Sequence, residues 1–289
     1  MTKLAESKTS AVDASVRDAL VQALARGALP GESEGFDAQA MTDAAAFLAG
    51  TASQRPAGRS AVSIETLGEG ANGRFMRIAL INDDMPFLVD SIGNALAAFD
   101  VTIHRLLHPV LSVERDADGA LHAILDDSAP GARRESMIYI EADRADARVR
   151  RALQSALEET LGDVRAAVTD WPRLRAAMSA DADAVPDEEG AALLRWFLAR
   201  HFTQIGHERR MRDGKAKDRL GICTRDGDPL LAPGSIDAAF AWFEEGRRTP
   251  LIVKSNRMSR VHRHVLIDLL IVPVREGREI GRASCRERV

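Results

Sequence analysis

Three adjacent polar residues, Asn82, Asp83 and Asp84, lie where a predicted strand passes into a predicted helix. The free amides and the positive dipole end of a helix N-terminus could hold the carboxylate of an amino acid, and an Asp could hold its ammonium group. The same loop also suits helix capping and interface packing, because Asp accepts bonds from free amides and Pro86 needs no amide partner in a first turn. Both interpretations stay open, and Asp90 is expected to be a polar group at the surface or at an interface.

A second group of candidate residues is basic and lies near the C-terminal end of the chain. Lys254, Arg260, His262 and Arg263, with Arg257 beside them, could bind an anion or contact another subunit. The alternative is an ordinary charged face in solvent, where ion pairs contribute little to stability.

The glycine-rich segment 68–73 matches the dinucleotide-binding pattern G-x-G-x-x-G as text. That chemistry requires a helix after the glycines, so that the helix N-terminus faces the pyrophosphate. Residues 74–81 are predicted to form a strand instead, and Asn72-Gly73 suits a hairpin turn. We therefore predict a hairpin loop here, with no cofactor bound by this chain.

Histidines occur in two close pairs, His104 with His108 and His262 with His264. Zinc needs three or four ligands, and no cysteine or carboxylate at a local spacing completes either set. Hydrogen-bonded, partly buried histidines are predicted rather than a metal site. Cys223 lies in a predicted apolar strand, so it is expected to be a small buried hydrophobe and not a nucleophile.

The composition is that of an ordinary globular protein, with 289 residues, 45% of them hydrophobic, and a net charge of −4. That length suits roughly two domains. The charge gives no argument for nucleic acid or an anionic membrane as partner. No apolar run approaches the ~20 residues that span a bilayer, and the N-terminus lacks a signal peptide. With two cysteines far apart, a cytoplasmic protein is predicted.

The hydrophobic pattern divides the chain into an α+β arrangement of several segments. Residues 1–60 are predicted to form helices, one ending at Gly27 and one over 37–48, and then a linker from residue 50. Residues 61–176 are predicted to form one domain. From 74 to 168 its order is β-α-β-β-α-β with an extra hairpin, so that both helices cover one face of an antiparallel sheet.

Three further elements of this domain are predicted. A helix is expected to begin at the loop of residues 82–84 with an Asp as its N-cap, a long strand to run over 101–113, and a closing strand to run over 164–168. The acidic segment 177–190 is predicted to be a linker. Residues 191–280 are predicted to form a second α+β unit, which has a short helix over 236–243 and is incomplete at its C-terminal end.

Three segments carry a family resemblance when they are taken together. They are Asn-Asp-Asp-Met-Pro-Phe-Leu-Val-Asp-Ser at 82–91, the Leu-Leu-Arg-Trp-Phe and His-Phe-Thr motifs within 193–206, and Lys-Ser-Asn with Ser-Arg-Val-His-Arg within 254–268. In order and spacing they resemble the N-terminal region of the large bacterial NAD-specific glutamate dehydrogenases. The sequence departs from that pattern at His207, where an aromatic residue is usual, and at His264, where Pro is usual.

The resemblance implies that 61–176 is an ACT-like domain and that 191–280 is part of a PAS-like unit. It also implies that the catalytic domain, which uses NAD to oxidise glutamate to 2-oxoglutarate and ammonium, lies outside this chain. A regulatory and oligomerisation role follows, with a homo-oligomer formed through the parent protein and an amino-acid effector at the loop of residues 82–84. The alternative is a stand-alone ACT-type module that binds an amino acid or directs assembly without catalysis.

The last nine residues, 281–289, resemble translated sequencing-adaptor sequence and have no apolar pattern. The hypothesis is that an assembly artefact cut the reading frame, which would leave the second sheet unfinished and one strand edge unpaired. Genomic sequencing that reproduces this tail and its stop codon would contradict it.

Overall fold

The computed structural model describes residues 2–27, 35–68, 75–126, 132–213, 215–227, 229–273 and 282–288, and no side chains of 2–13, 200 and 282–288. Its contacts divide the chain into two compact units. The first comprises Met1–Pro86 with Ala95–Gly162, and the second comprises Phe87–Asn94 with Asp163–Val289. Two helices, α3 (Leu88–Ala97) and α4 (Ala147–Thr169), contribute residues to both units.

Two helices open the first unit, α1 (Thr2–Gly27) and α2 (Ala38–Ala52). The predicted end of the first helix at Gly27 is confirmed, and the second helix runs one turn beyond its predicted end. Asp37 caps α2 by accepting a hydrogen bond from the Ala40 amide at 2.8 Å. The cap satisfies an amide that has no partner within the helix.

The sheet of the first unit is antiparallel and contains six strands. They are β1 (Ala61–Thr66), β2 (Phe75–Asp83), β3 (Ile103–Leu107), β4 (Val110–Arg115), β5 (Leu121–Leu125) and β6 (Arg133–Asp143). Their order is β1-β2-β6-β4-β5, and β3 also pairs with β6. The two central strands, β2 and β6, therefore place apolar side chains on both faces of the sheet.

Helices α1 and α2 cover one face of this sheet. Their buried residues, including Leu20 and Leu48, form one cluster with Ile81 of β2 and Tyr139 of β6. On the opposite face of β2, Ile78 is also fully buried. We infer that the end of α3 and the first part of α4 cover that second face, because the leucines of these helix segments are buried too, namely Leu96, Leu153, Leu157 and Leu161.

The predicted closing strand over 164–168 is wrong, because α4 continues through it to Thr169. A glycine such as Gly162 often follows the end of a helix, but inside a helix it costs only about 1 kcal/mol. Burial of Leu161 and Val164, at 1% and 0% exposure, outweighs that cost. The edge of β2 that faces away from β6 pairs instead with β1, where Val62 lies opposite Leu80.

The long strand predicted over 101–113 is interrupted between β3 and β4, at His108 and Pro109. Proline has no amide to donate to a ladder, so the pairing breaks there. Both halves still pair with β6, since Leu107 lies opposite Tyr139 and Val110 lies opposite Ser136.

The second unit contains a five-stranded antiparallel sheet. Its strands are β7 (Phe202–Arg210), β8 (Ala216–Gly221), β9 (Leu251–Met258), β10 (Leu266–Val272) and β11 (Arg282–Arg288), in the order β8-β7-β11-β10-β9. Helices α5 (Trp171–Ala184) and α6 (Glu188–Trp196) precede the sheet, and α7 (Pro233–Glu244) lies between β8 and β9 in sequence. The predicted helix within 236–243 is thus confirmed.

Three expectations for this unit are corrected by the structure. The acidic segment 177–190 is mostly helical rather than a linker, and Asp181 within it is buried. Cys223 is buried as predicted but lies in a 3-10 turn, Ile222–Thr224, and not in a strand. The strand edge expected to stay unpaired is occupied, because β11 pairs with both β7 and β10.

Within the described ranges, every helix is too short or too polar to span a bilayer.

Candidate functional site

The loop of residues 82–84 belongs to the end of β2 and does not cap a helix. Helix α3 begins at Leu88, so the prediction that an Asp of this loop is its N-cap is wrong. The Asp84 amide donates to the Arg134 carbonyl at 3.0 Å, and its carboxylate accepts a bond from the Ser136 hydroxyl at 3.1 Å. The pairing of β2 with β6 ends at this backbone hydrogen bond. The chain bends at Asp84, and Pro86 lies in a turn before the helix.

Asp83 is engaged by an arginine that comes from the segment predicted to be a linker. Arg55 Nη2 donates to Asp83 Oδ1 at 2.7 Å. Asn82 is 1% exposed, and its side-chain amide donates to the Asp83 carbonyl at 3.0 Å. All three carboxylate or amide groups predicted for an effector loop thus already bind groups of the same unit.

Glu135 is the centre of a buried charge network in the first unit. Its side chain is fully buried and lies between Arg55 and Arg115. Arg115 forms a two-point contact, Nε to Oε1 at 2.7 Å and Nη2 to Oε2 at 2.8 Å. Paired bonds of this kind are the strongest geometry for an arginine and a carboxylate.

The charges of this network balance, since Arg55 and Arg115 face Glu135 and Asp83. Burial acts to lower the pKa of Arg55, but its bonds to Glu135 and Asp83 outweigh burial and raise that pKa above its ordinary value. Arg55 therefore stays protonated, and its charge is balanced by the buried Glu135 and by Asp83, whose side chain is 34% exposed.

The network also fixes the chain between α2 and β1 against the turn between β4 and β5. The Arg55 amide donates to the Gly119 carbonyl at 2.9 Å, and Arg115 Nη1 donates to the same carbonyl at 2.8 Å. Gly119 has a φ of 93°, which favours glycine. The segment predicted to be a linker is thus a fixed part of the first unit.

The Glu135 network was missed from the sequence, although one signal was present. Glu135 has the same parity as Met137 and Tyr139 along β6, so it had to point to the same buried face. A carboxylate on a buried face requires a paired cation. The identity of that cation was not readable, because Arg55 lies 80 positions away in sequence.

In the second unit, the structure brings together one residue from each predicted candidate group. The Asp90 carboxylate lies 3.9 Å from His262 Nε2. The buried Ser91 hydroxyl accepts a bond from the His262 amide at 2.8 Å, and Asn94 Nδ2 donates to the His262 carbonyl at 2.7 Å. The ring of Phe87 lies 5.2 Å from the imidazole.

Both aromatic residues of this contact have a left-handed backbone conformation. The φ angles are 72° at Phe87 and 63° at His262. Such angles cost about 1–3 kcal/mol in residues other than glycine, so the surrounding bonds must hold them in place. The His262 backbone is held on both sides by the Ser91 and Asn94 side chains.

The remaining members of the predicted basic group point to different partners. Lys254 binds Asp268 of the adjacent strand at 2.6 Å. Arg260 Nη1 lies 3.5 Å from Asp163. Arg263 is exposed, and its amide donates to the Val261 carbonyl at 2.7 Å.

Asp163, near the C-terminal end of α4, binds three arginines of the second unit. It is 2% exposed and lies 2.6 Å from Arg225, 3.1 Å from Arg257 and 3.5 Å from Arg260. Neither Asp163 nor Arg225 was singled out from the sequence. The available signal was an acidic residue next to the buried face of an amphipathic helix.

Replacing Asp163 by asparagine is expected to lower the free energy of unfolding of the second unit by about 2 kcal/mol, since three guanidinium groups lose their shared carboxylate. Urea denaturation followed by tryptophan fluorescence measures the effect, because Trp171, Trp196 and Trp242 all lie in that unit. The matched control is Asp183→Asn, because the side chains of Asp183 and of its partner Arg195 are 71% and 59% exposed. Equal effects of the two substitutions would contradict a structural role for Asp163.

The histidines of the two predicted pairs lie within the described residues, whereas most of the glycine-rich segment does not. His104 Nε2 binds Asp143 at 2.8 Å. His108 lies beyond the strand break, and burial lowers its pKa although Asp84 acts in the opposite direction. Residues 69–74 lie outside the described residues, so the hairpin predicted at Asn72-Gly73 stays a prediction.

Comparison with known proteins gives a consistent result for the first unit. A family model described as glutamate dehydrogenase, ACT1 domain, matches residues 20–157. The NAD-specific glutamate dehydrogenase of Pseudomonas aeruginosa is 32% identical over 236 residues, which cover 72% of this chain and 14% of that protein. That of Halomonas elongata is 33% identical over 159 residues, which cover 50% of this chain and 10% of that protein.

These matches identify the chain with the N-terminal region of NAD-specific glutamate dehydrogenases. It spans only 14% and 10% of the lengths of these two relatives. The ACT1 match of the glutamate dehydrogenases begins within α1 and ends within α4, so it includes all of α2, Arg55 and Glu135.

One solved structure, titled "Structure of an RNA-binding Light-Oxygen-Voltage Receptor", aligns with 80% of this chain and 78% of its own. The TM-score is 0.20 and the identity is 13%, which is too low to establish a shared fold.

Proposed function

We propose that this chain is a regulatory and oligomerisation region of an NAD-dependent glutamate dehydrogenase. The parent enzyme would convert L-glutamate, NAD and water to 2-oxoglutarate, ammonium and NADH, with the catalytic domain and the bound NAD outside this chain. The observation that carries the proposal is the ACT1 match over residues 20–157, which coincides with most of the first compact unit.

The proposed organisation is an ACT-like domain over 61–176 and a PAS-like unit over 191–280. Support for the first comes from the family match and from its antiparallel sheet with helices. Support for the second comes from its own five-stranded antiparallel sheet and from α7, which lies between β8 and β9 in sequence. Separate compact units of this kind suit a region that senses or assembles, rather than one that forms a single active-site cleft.

The loop of residues 82–84 is proposed to stabilise the fold or an interface. Its carboxylates already accept bonds, Asp83 from Arg55 and Asp84 from Ser136. An amino-acid ammonium group at this loop would have to displace those bonds. The effector role of the loop stays a prediction, which calorimetry on the Asp83→Ala, Asp84→Ala double variant tests.

The purified chain is expected to self-associate and to show no glutamate-dependent formation of NADH. Sedimentation velocity over a hundredfold range of concentration measures the first property, and absorbance of NADH measures the second. A strictly monomeric chain would contradict the oligomerisation role. A steady rise in NADH that depends on both L-glutamate and NAD would contradict the absence of catalysis.

A regulatory role is tested in the complete parent enzyme, with substitutions confined to this region. We expect Ser91→Ala to change the concentration of L-glutamate at half-maximal rate and to leave kcat within about twofold, because Ser91 holds the His262 backbone and lies outside the catalytic domain. A loss of kcat alone, at unchanged KM, would argue against this role. The matched control is Ser15→Ala at an exposed position of α1.

A further inference from the structure

Three arginines of the second unit converge on a single carboxylate, that of Asp163 in α4. Arg225 Nε donates to Asp163 Oδ1 at 2.6 Å, and Arg257 Nη2 donates to Asp163 Oδ2 at 3.1 Å. Arg260 Nη1 lies 3.5 Å from the same Oδ2 atom. The three come from separate segments, namely the loop after the 3-10 turn, strand β9 and the loop that follows β9, so only the folded unit brings them together.

The positive charge of this cluster exceeds its negative charge. Arg225 and Arg257 alone carry two positive charges against the one negative charge of Asp163, and Arg260 adds a third. A fourth guanidinium approaches from β8, where Arg219 Nη2 donates to the Arg225 carbonyl at 3.3 Å. The buried network of the first unit differs, since its two arginines face two carboxylates.

The cluster is open to solvent where Arg225 and Arg260 lie, because their side chains are 35% and 38% exposed. Within the part of the chain that the structure describes, the Arg225 side chain donates hydrogen bonds only from Nε, so its two Nη groups remain for a ligand. The next residue, Asp226, is exposed and forms no ion pair with these arginines among the described residues.

Arg257 forms the fixed, inner part of the cluster. Its side chain is 10% exposed and is bonded to Asp163. The backbone of the loop packs closely against it, since a Cβ added at Gly227 would lie 3.1 Å from Arg257 Nη1. A guanidinium that is already held in place loses little conformational entropy when a ligand binds.

We propose that this cluster binds a phosphate group on the exposed side of Arg225 and Arg260. A phosphate group carries a charge of about −1.5 to −2 at neutral pH, which offsets the excess positive charge. The planar guanidinium can donate two parallel N–H bonds to its oxygens. Asp163 positions the arginines and does not contact the anion. The proposal does not depend on the regulatory and oligomerisation role proposed above.

Isothermal titration calorimetry on the purified chain tests the site with inorganic phosphate and glycerol phosphate as probes. We expect saturable binding of at least one of them with a Kd of about 1 millimolar or tighter, and binding of singly charged nitrate that is at least about tenfold weaker. Tighter binding of glycerol phosphate would indicate a phosphorylated small molecule as the ligand, and equal or weaker binding would indicate free phosphate. No saturable heat from either probe up to about 20 millimolar would overturn the proposal.

Two substitutions locate the anion, and a third controls for the change in charge. Arg225→Gln and Arg260→Gln should each weaken phosphate binding at least about fivefold, because each removes a charge-assisted contact. Arg195→Gln removes the same charge at a 59% exposed position of the second unit outside the cluster, and should leave the affinity unchanged. Binding that survives both cluster substitutions would place the anion elsewhere and refute this site.

The substitution Asp163→Asn gives a test with a different readout, because it leaves the three arginines without their shared carboxylate. Phosphate should then raise the urea midpoint of the second unit more in this variant than in the unsubstituted chain, since a bound anion stabilises the folded state. Tryptophan fluorescence follows the transition, and sodium chloride at equal ionic strength controls for screening. An equal rise in both proteins would contradict binding of phosphate by the arginines around Asp163.

Discussion

Replacing Glu135 by glutamine is expected to lower the free energy of unfolding of the first unit by about 3–5 kcal/mol. Glutamine keeps the shape of the side chain but removes its charge. Arg55 and Arg115, whose side chains are 0% and 2% exposed, would then share only Asp83 as a counter-charge. The two cations cannot lose their protons, because the pKa of an arginine is far above neutral and that of Arg55 is raised further.

The two units can be followed separately in this measurement. Tyr139 reports the first unit by its absorbance, and the three tryptophans report the second by their fluorescence. Urea denaturation of Glu135→Gln should shift the tyrosine transition and leave the tryptophan transition within error. The matched control is Glu65→Gln, since Glu65 is 50% exposed in its pair with Arg77 and should change the free energy by less than about 1 kcal/mol.

A loss below about 1 kcal/mol in Glu135→Gln would show that the buried network contributes little more than a surface pair. A shift of both transitions together would instead show that the units unfold as one. Either result would contradict a role for this network in stabilising the first unit by itself, where it joins Arg55, Glu135 and the β4–β5 turn by hydrogen bonds.

Replacing Gly221 by alanine is expected to destabilise the second unit by about 3 kcal/mol, from backbone strain and overlap together. Gly221 has a φ of 58°, which disfavours any side chain. An added Cβ would also overlap the Ile205 carbonyl on the adjacent strand β7, which is backbone and cannot rotate away. The Gly221 amide donates to Asp170 Oδ2 at 2.8 Å, so the residue is held in this conformation.

Tryptophan fluorescence during urea denaturation measures this effect, with Gly234→Ala as the control. Gly234 lies in the first turn of α7, and a Cβ there would have no neighbour within 4 Å. Alanine favours a helix over glycine by up to about 1 kcal/mol, so the control should be neutral or slightly stabilising. If both alanine variants behaved alike, the left-handed conformation at Gly221 would not be required for the fold.

Most of the local structure was predictable from residue patterns alone. The apolar repeat of α1 and its end at Gly27, the cap of α2 at Asp37 and the helix near 236–243 follow rules that act over a few residues. The resemblance to NAD-specific glutamate dehydrogenases was also readable, because 82–91 is an uninterrupted run of family residues, and the comparisons confirm it.

The errors arose where a local signal competed with burial or with a distant partner. Gly162 is a helix breaker by type, but Leu161 and Val164 on either side are buried, and the helix continues. Asp84, two residues before a proline, has the pattern of a cap, but its amide donates to the Arg134 carbonyl of β6, and the helix begins only at Leu88. In both cases a contact formed only in the folded unit outweighs a preference of about 1 kcal/mol.

The sequence by itself determined the helix periodicity, the cap of α2 and the family resemblance of this chain, since each depends on residue types at fixed short spacings. Only the tertiary structure decided which cation neutralises Glu135 and which strand pairs with the outer side of β2. Arg55 reaches Glu135 across 80 positions. Such pairings depend on how sheets and helices stack, because desolvation and charge complementarity act between groups that are near in space and not in sequence.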